Sequence, residues 1–151
     1  MVRGMPIHFA HTIEVPQPPA QVFAVLDDFS QTPKWLSRCT GIEALTPGPK
    51  AAGTKLRYAY KEGGRSGTMD GEIAARAENE RLNMRYGDEM MDVSVDFHMV
   101  PNGSGTKLTH TIDITPRSFM AKLISPLIRG RVPKQTVTAM ESLRELLAKL
   151  S

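Results

Sequence analysis

The chain has 151 residues, is 40% hydrophobic and 23% charged, and carries a formal net charge of +3. That length suits one domain, which buries roughly two-thirds of its unfolded surface and needs no covalent staple. A single cysteine, Cys39, excludes an internal disulfide and fits a reducing, cytoplasmic setting. No apolar run reaches the roughly 18 residues of a transmembrane helix. The opening Met1-Val2-Arg3-Gly4-Met5-Pro6 lacks the apolar core of a signal peptide, so none is expected. The charge is too small to argue for a nucleic-acid partner, and no aromatic residues interleave with the basic ones to stack on bases.

Ile7 to Val15 alternates, with Ile7, Phe9, His11, Ile13 and Val15 on one face. This predicts a strand with one buried face, ended by Pro16, Pro18 and Pro19. Pro19 suits a first helical position, and Val22, Phe23, Val25, Leu26 and Phe29 follow helical spacing. Ser30 is placed to cap a second short helix containing Pro33, Trp35 and Leu36. Gly41 to Leu45 is a weak strand, followed by a turn rich in proline and glycine.

Five further alternating runs follow. Leu56, Tyr58 and Tyr60 point inward from the first. Met69, Gly71, Ile73 and Ala75 point inward from the second, leaving Asp70, Glu72 and Arg76 outside. Leu82, Met84 and Tyr86 come next, then Met91, Val93, Val95, Phe97 and Met99, then Leu108, His110, Ile112 and Ile114. Gly63-Gly64 and Pro101 to Gly105 are hairpin signals. The glycine-rich 63–67 segment is not a phosphate loop, because it lacks the lysine and the following helix. Seven strands with period-2 patterning predict an antiparallel meander with one wet face.

Ser118 to Leu150 has helical period. Thr136, Met140, Leu143, Leu147 and Leu150 form one apolar stripe. Pro126, Gly130 and Pro133 interrupt the segment, which predicts a short helical piece, a bend near Arg129 to Pro133, and a regular helix to Leu150. On this reading Leu143, Leu147 and Leu150 anchor the sheet, Thr136 and Met140 wall a cavity, and Phe119 to Ile128 is a movable gate. Arg117, Lys122, Arg129, Arg131 and Lys134 gather here. They read most simply as a solvated rim; the alternative is a mouth that attracts an anionic head group or a membrane surface.

The order of strand, two short helices, six strands and long C-terminal helix resembles the helix-grip fold of the START/Bet v 1-like (SRPBCC) superfamily. Pro19-Ala20-Gln21-Val22-Phe23, Leu26, Asp28-Phe29, Pro33 and Trp35 resemble the entry signature of its polyketide cyclase/dehydrase branch. Gly53-Thr54, Arg81-Leu82 and Pro101 through Thr109 resemble its turn pattern. The resemblance implies an α+β domain over residues 1–151, with a curved seven-stranded antiparallel sheet around the last helix. It also implies an elongated apolar cavity for a lipid, quinone or polyketide-like molecule. These are scaffold motifs, so they imply a fold more strongly than an activity.

The candidate ligand-binding residues are Phe9, His11, Tyr58, Tyr60, Met69, Met84, Tyr86, Val95, Phe97, His110, Thr136 and Met140. His11 and His110 are imidazoles on otherwise apolar faces. In the resembled fold their strands are neighbours, which makes them the candidate acid–base pair of a cyclase or dehydratase. The simpler reading is two satisfied core histidines. Tyrosines offer an apolar body with one polar tip, and methionines give an adaptable lining. Cys39 reads as a small, partly buried residue, because no activating base lies near it in sequence. The histidines do not cluster at ligand spacing, so no metal is expected, nor any cofactor. The functions carried forward are a carrier or sensor of a small hydrophobic molecule, a cofactor-independent cyclase or dehydratase, and a protein-interaction module.

Overall fold

The computed structural model describes residues 6–150. Residues 1–5, where the signal-peptide reading falls, and residue 151 lie outside the described part. In chain order the elements are β1 (Ile7–Val15), α1 (Pro19–Asp27), α2 (Thr32–Trp35), β2 (Cys39–Ala44), β3 (Lys55–Glu62), β4 (Arg65–Ala77), β5 (Arg81–Gly87), β6 (Met91–Asn102), β7 (Gly105–Pro116) and α3 (Phe119–Leu150). The alternating runs form one antiparallel sheet in the order β1-β7-β6-β5-β4-β3-β2. The architecture is the helix-grip fold: the sheet curves around α3, and α1 and α2 fill the corner after β1.

Local chemistry sets the hairpins and the curvature. Gly63 and Gly64 both have positive φ, at 59° and 81°, as a two-residue turn matching the sheet twist requires. At Gly71 a Cβ would lie 2.1 Å from the carbonyl oxygen of Arg85 and 2.6 Å from the Tyr86 ring. Only glycine allows β4 and β5 to approach this closely.

Two local readings change. Ser30 does not cap α2, whose N-cap is Gln31. The Ser30 backbone N–H and hydroxyl both donate to Asp28 Oδ1, at 3.1 and 2.6 Å, closing a turn around the aspartate. Arg76, expected outside, lies on the helix side. A bulge between Ile73 and Ala75 inserts one residue and reverses the facing of the end of β4. Arg76 then pairs with Asp27 through two hydrogen bonds of 3.0 and 2.9 Å, and its guanidinium lies 5.1 Å from the centre of the Phe23 ring. This forked pair ties α1 to the sheet.

The last segment is also not divided into two helical pieces. α3 runs from Phe119 to Leu150 through both Pro126 and Pro133. Ser118 starts it, its hydroxyl accepting from the Ala121 N–H at 3.0 Å. Pro126 deprives the Lys122 carbonyl of its helical donor, and the Ser125 hydroxyl replaces that donor at 2.9 Å. One backbone cost of the proline is thus met locally.

The main core joins Ile13, Val22, Phe23, Leu26, Leu56, Ile73, Leu82, Phe97 and Leu108 to Met140, Leu143 and Leu147 of α3. Leu150, expected to share the anchor, is 50% exposed. It follows the last turn that the sheet covers. Leu143→Ala is therefore expected to lower the unfolding free energy by about 3 kcal/mol, while Leu150→Ala changes it by less than about 0.5 kcal/mol. Urea denaturation of both variants checks this.

Candidate ligand cavity

Burial along the sheet marks where the interior is unfilled. Tyr58, Met69, Val93 and Val95 pack against the core but are only partly buried. They belong to the middle of β3, β4 and β6. Opposite them α3 supplies Ile128, Arg131, Val132 and Gln135, and the corner supplies Trp35, Leu36 and Arg38. Between these layers lies a cavity of about 220 Å³. Its walls are mainly aliphatic, methionine and aromatic side chains, with a few polar groups converging on it.

Three aromatic rings form one side. Phe97 meets Trp35 edge-on at 5.8 Å between centroids and stacks on His110 at 4.5 Å. Both ring nitrogens of His110 and the Trp35 Nε1 are buried without a hydrogen-bond partner among the described residues. Such groups are costly to leave unmade, so they are ready to bond a molecule inside. Burial pushes the His110 imidazole down to about 4, and the nearby Arg38 charge pushes the same way. At neutral pH His110 is therefore neutral, with one donor and one acceptor.

Tyr58 and Tyr86 are neutral too. Burial pushes the Tyr58 phenol up to about 12 and the Tyr86 phenol further up. The Tyr86 hydroxyl donates to the Met84 sulfur at 3.2 Å, and the Tyr58 and Tyr86 rings lie 4.9 Å apart. At one end of the cavity Arg38 Nη1 donates to Gln135 Oε1 at 2.6 Å, and Gln135 Nε2 donates to Glu62 Oε1 at 2.7 Å. This chain links the corner after α2, the end of β3 and the middle of α3.

Eight of the sequence candidates come together around this space: Tyr58, Tyr60, Met69, Met84, Tyr86, Val95, Phe97 and His110. Four do not line it. Phe9 packs into a second apolar cluster with Ile7, Ile112, Ile114 and Val132. His11 is the register partner of His110, so their strands are neighbours, but it stacks near Phe9 at 6.4 Å, off the cavity. Thr136 and Met140 are buried past the cavity end, with Met140 in the core under α3. The stripe continues there, but the open space faces the turns before it. Arg38, Trp35 and Gln135 were missed. Arg38 follows a short corner with no period, so nothing in the pattern aims it inward.

Other candidates lead elsewhere. Cys39 is buried, and burial pushes its thiol up, away from a reactive thiolate. No group of three or more His, Cys, Asp or Glu able to hold a metal lies among the described residues. A larger hollow of about 570 Å³ lies on the outer face, beside Gly71. Lys55, Asp70, Glu72, Arg85, Asp92 and Asp113 line it and are the water-facing residues of their strands. It offers little apolar surface to cover, so the inner cavity is the better ligand site.

A family profile described as polyketide cyclase/dehydrase and lipid transport matches residues 6–148. No curated protein matches the chain in sequence. Among solved structures, the chain is similar to the Zhui aromatase/cyclase from Streptomyces sp. R1128, with a TM-score of 0.81 at 15% identity. That match covers 96% of this chain and 95% of the other. A START superfamily protein from Mycobacterium smegmatis matches with a TM-score of 0.78 at 18% identity, covering 95% of this chain and 99% of the other. At such identities the likeness carries the fold.

The depressed His110 has a consequence for stability. Between its ordinary value of 6.5 and about 4, the unfolded chain binds a proton that the folded chain refuses. Stability from this residue is therefore full above about pH 6.5 and declines as pH falls towards 4, by about 3 kcal/mol. Urea denaturation at pH 7 and pH 4.5 is expected to show His110→Leu losing less stability on acidification than the unsubstituted protein.

Proposed function

The chain belongs to the polyketide cyclase/dehydrase and lipid transport family, and we propose that it binds a small hydrophobic molecule in the cavity between sheet and α3, as a carrier or sensor. The observation that carries this reading is the contrast inside the cavity. A largely apolar lining surrounds the unpartnered nitrogens of His110 and Trp35. A ligand with an apolar body and one or two carbonyl or hydroxyl groups satisfies both features, as a lipid, quinone or polyketide-like molecule does. Met69, Met84, Met90 and Met91 give the lining the softness to accept related shapes.

The cavity of about 220 Å³ is small, so a long ligand requires α3 to part from β3. The Arg38–Gln135–Glu62 chain spans that seam. Its hydrogen bonds are remade with water at modest net cost, which suits a latch better than a fixed joint.

A cofactor-independent cyclase or dehydratase would use the same His110 with Tyr58 or Tyr86. The protonation states favour binding. An imidazole held near 4 supplies almost no acid form at neutral pH, and phenols at 12 or above supply almost no base. A neutral His110 is best suited to hold a ligand oxygen.

Trp35 is the chain's single tryptophan and lies in the cavity wall, so its emission reports occupancy. Native mass spectrometry of protein from its own host is expected to show a bound apolar molecule. A naphthalene probe is expected to quench Trp35, and Val95→Phe to weaken that quenching at least about tenfold by filling the space. No co-purified molecule together with an unchanged Trp35 emission would refute the reading.

A further inference from the structure

The first turns of α3 bury one side and leave the other bare. Ala121 and Val132 face the sheet, fully or almost fully covered. On the outer side Phe119 is 76% exposed, Met120 63%, Leu123 59% and Leu127 61%. At 3.6 residues per turn these four, with Ile124, fall within an arc of about 140°. They form one continuous stripe, not scattered single residues. An outward apolar face of this extent on a helix marks a contact surface.

The surrounding charge says what it contacts. No acidic residue occurs between Asp113 and Glu141, whereas Arg117, Lys122, Arg129, Arg131 and Lys134 fall in that interval. On the helical wheel Lys122 and Arg129 flank the stripe on one side, while Arg131 and Lys134 fall in line with it beyond its C-terminal end. Arg117 is held at the helix start by Asp92, at 3.5 Å across an exposed pair. An apolar stripe edged by cations is the pattern of a helix lying in a bilayer interface, with its apolar side chains among acyl chains and its cations among phosphates.

We propose that the outer face of residues 119–127 docks on an anionic lipid bilayer. The helix would lie in the plane of the surface, since no helix among the described residues is long and apolar enough to cross a membrane. The same helix carries Ile128, Arg131 and Gln135 to the cavity one turn later. Docking therefore places the cavity end beside the lipid. The proposal concerns the outer face of α3 and stands whether or not the cavity holds a ligand.

The test is co-sedimentation of the full chain with vesicles of phosphatidylcholine alone or mixed with phosphatidylglycerol. Binding is expected only to the mixed vesicles, and added salt should reduce it. Phe119→Ser combined with Leu123→Ser should weaken it at least about tenfold, because both side chains would insert. Both are exposed, so the thermal midpoint of the double variant should be unchanged; Met120→Ser with Leu127→Ser is the independent second pair. Absence of sedimentation, equal binding to both vesicles, or binding indifferent to both pairs of substitutions would overturn the proposal. So would a concentration-dependent dimer that the Phe119 and Leu123 substitutions abolish, since the stripe would then be covered by a second copy.

Discussion

The contact on which the structure depends is that of Met140, Leu143 and Leu147 with the concave face of the sheet. All three side chains are fully buried. Their helix is a poor one by propensity, with Pro126, Gly130 and Pro133 in its first half. Isolated helices are marginal even without such residues, so packing supplies most of what keeps α3 formed. The sheet depends on the helix in return. An antiparallel sheet with one apolar face needs a cover, and α3 is the main one. Closing a large curved sheet with one helix also limits how completely its interior is filled.

That limit explains where the cavity lies. Around Met140, Leu143 and Leu147 of α3 and the apolar side of α1, the residues Leu56, Ile73, Leu82 and Leu108 are completely buried. Over the other end the corner and the first half of α3 leave a gap. There the inward residues of β3, β4 and β6 remain partly uncovered. A closed core would have been more stable at this end, since unfilled volume costs packing energy. Unpartnered polar nitrogens in the same place add to that cost. A fold that retains both at one spot has its weakest packing where a ligand would contribute most.

The strands were readable because period 2 survives in sequence, and the register of β1 against β7 sets His11 opposite His110 as the resemblance implied. Three things were not readable, each for a physical reason. The bulge before Ala75 breaks parity without a marker residue, so Arg76 was assigned to the wrong face. The proline rule predicted separate helical pieces on either side of Arg129 to Pro133, but α3 is continuous, and at Pro126 the Ser125 hydroxyl gives the Lys122 carbonyl the donor that the proline lacks. The helical wheel gave the buried side of α3 correctly through Thr136 to Leu147. A wheel carries no axial coordinate, however, so it could not say that the open space faces Ile128 to Gln135 rather than Thr136 and Met140.

α3 thus has two halves under opposite constraints. The second half is fixed because its apolar side chains have one place to go. The first half has apolar residues on two sides and a sheet that covers only one of them. Its inner side borders the cavity through Ile128 and Val132, and its outer side presents Phe119, Leu123 and Leu127 to whatever lies beyond. This half of the helix is held to the sheet chiefly through Ala121 and Val132. The hydrogen bonds that Gln135 accepts from Arg38 and donates to Glu62 sit at the junction of the two halves. Loosening them frees the first half while leaving Met140, Leu143 and Leu147 in place. The hinge of any opening motion is therefore set by the boundary between covered and uncovered helix, and the two prolines lie on the uncovered side of it.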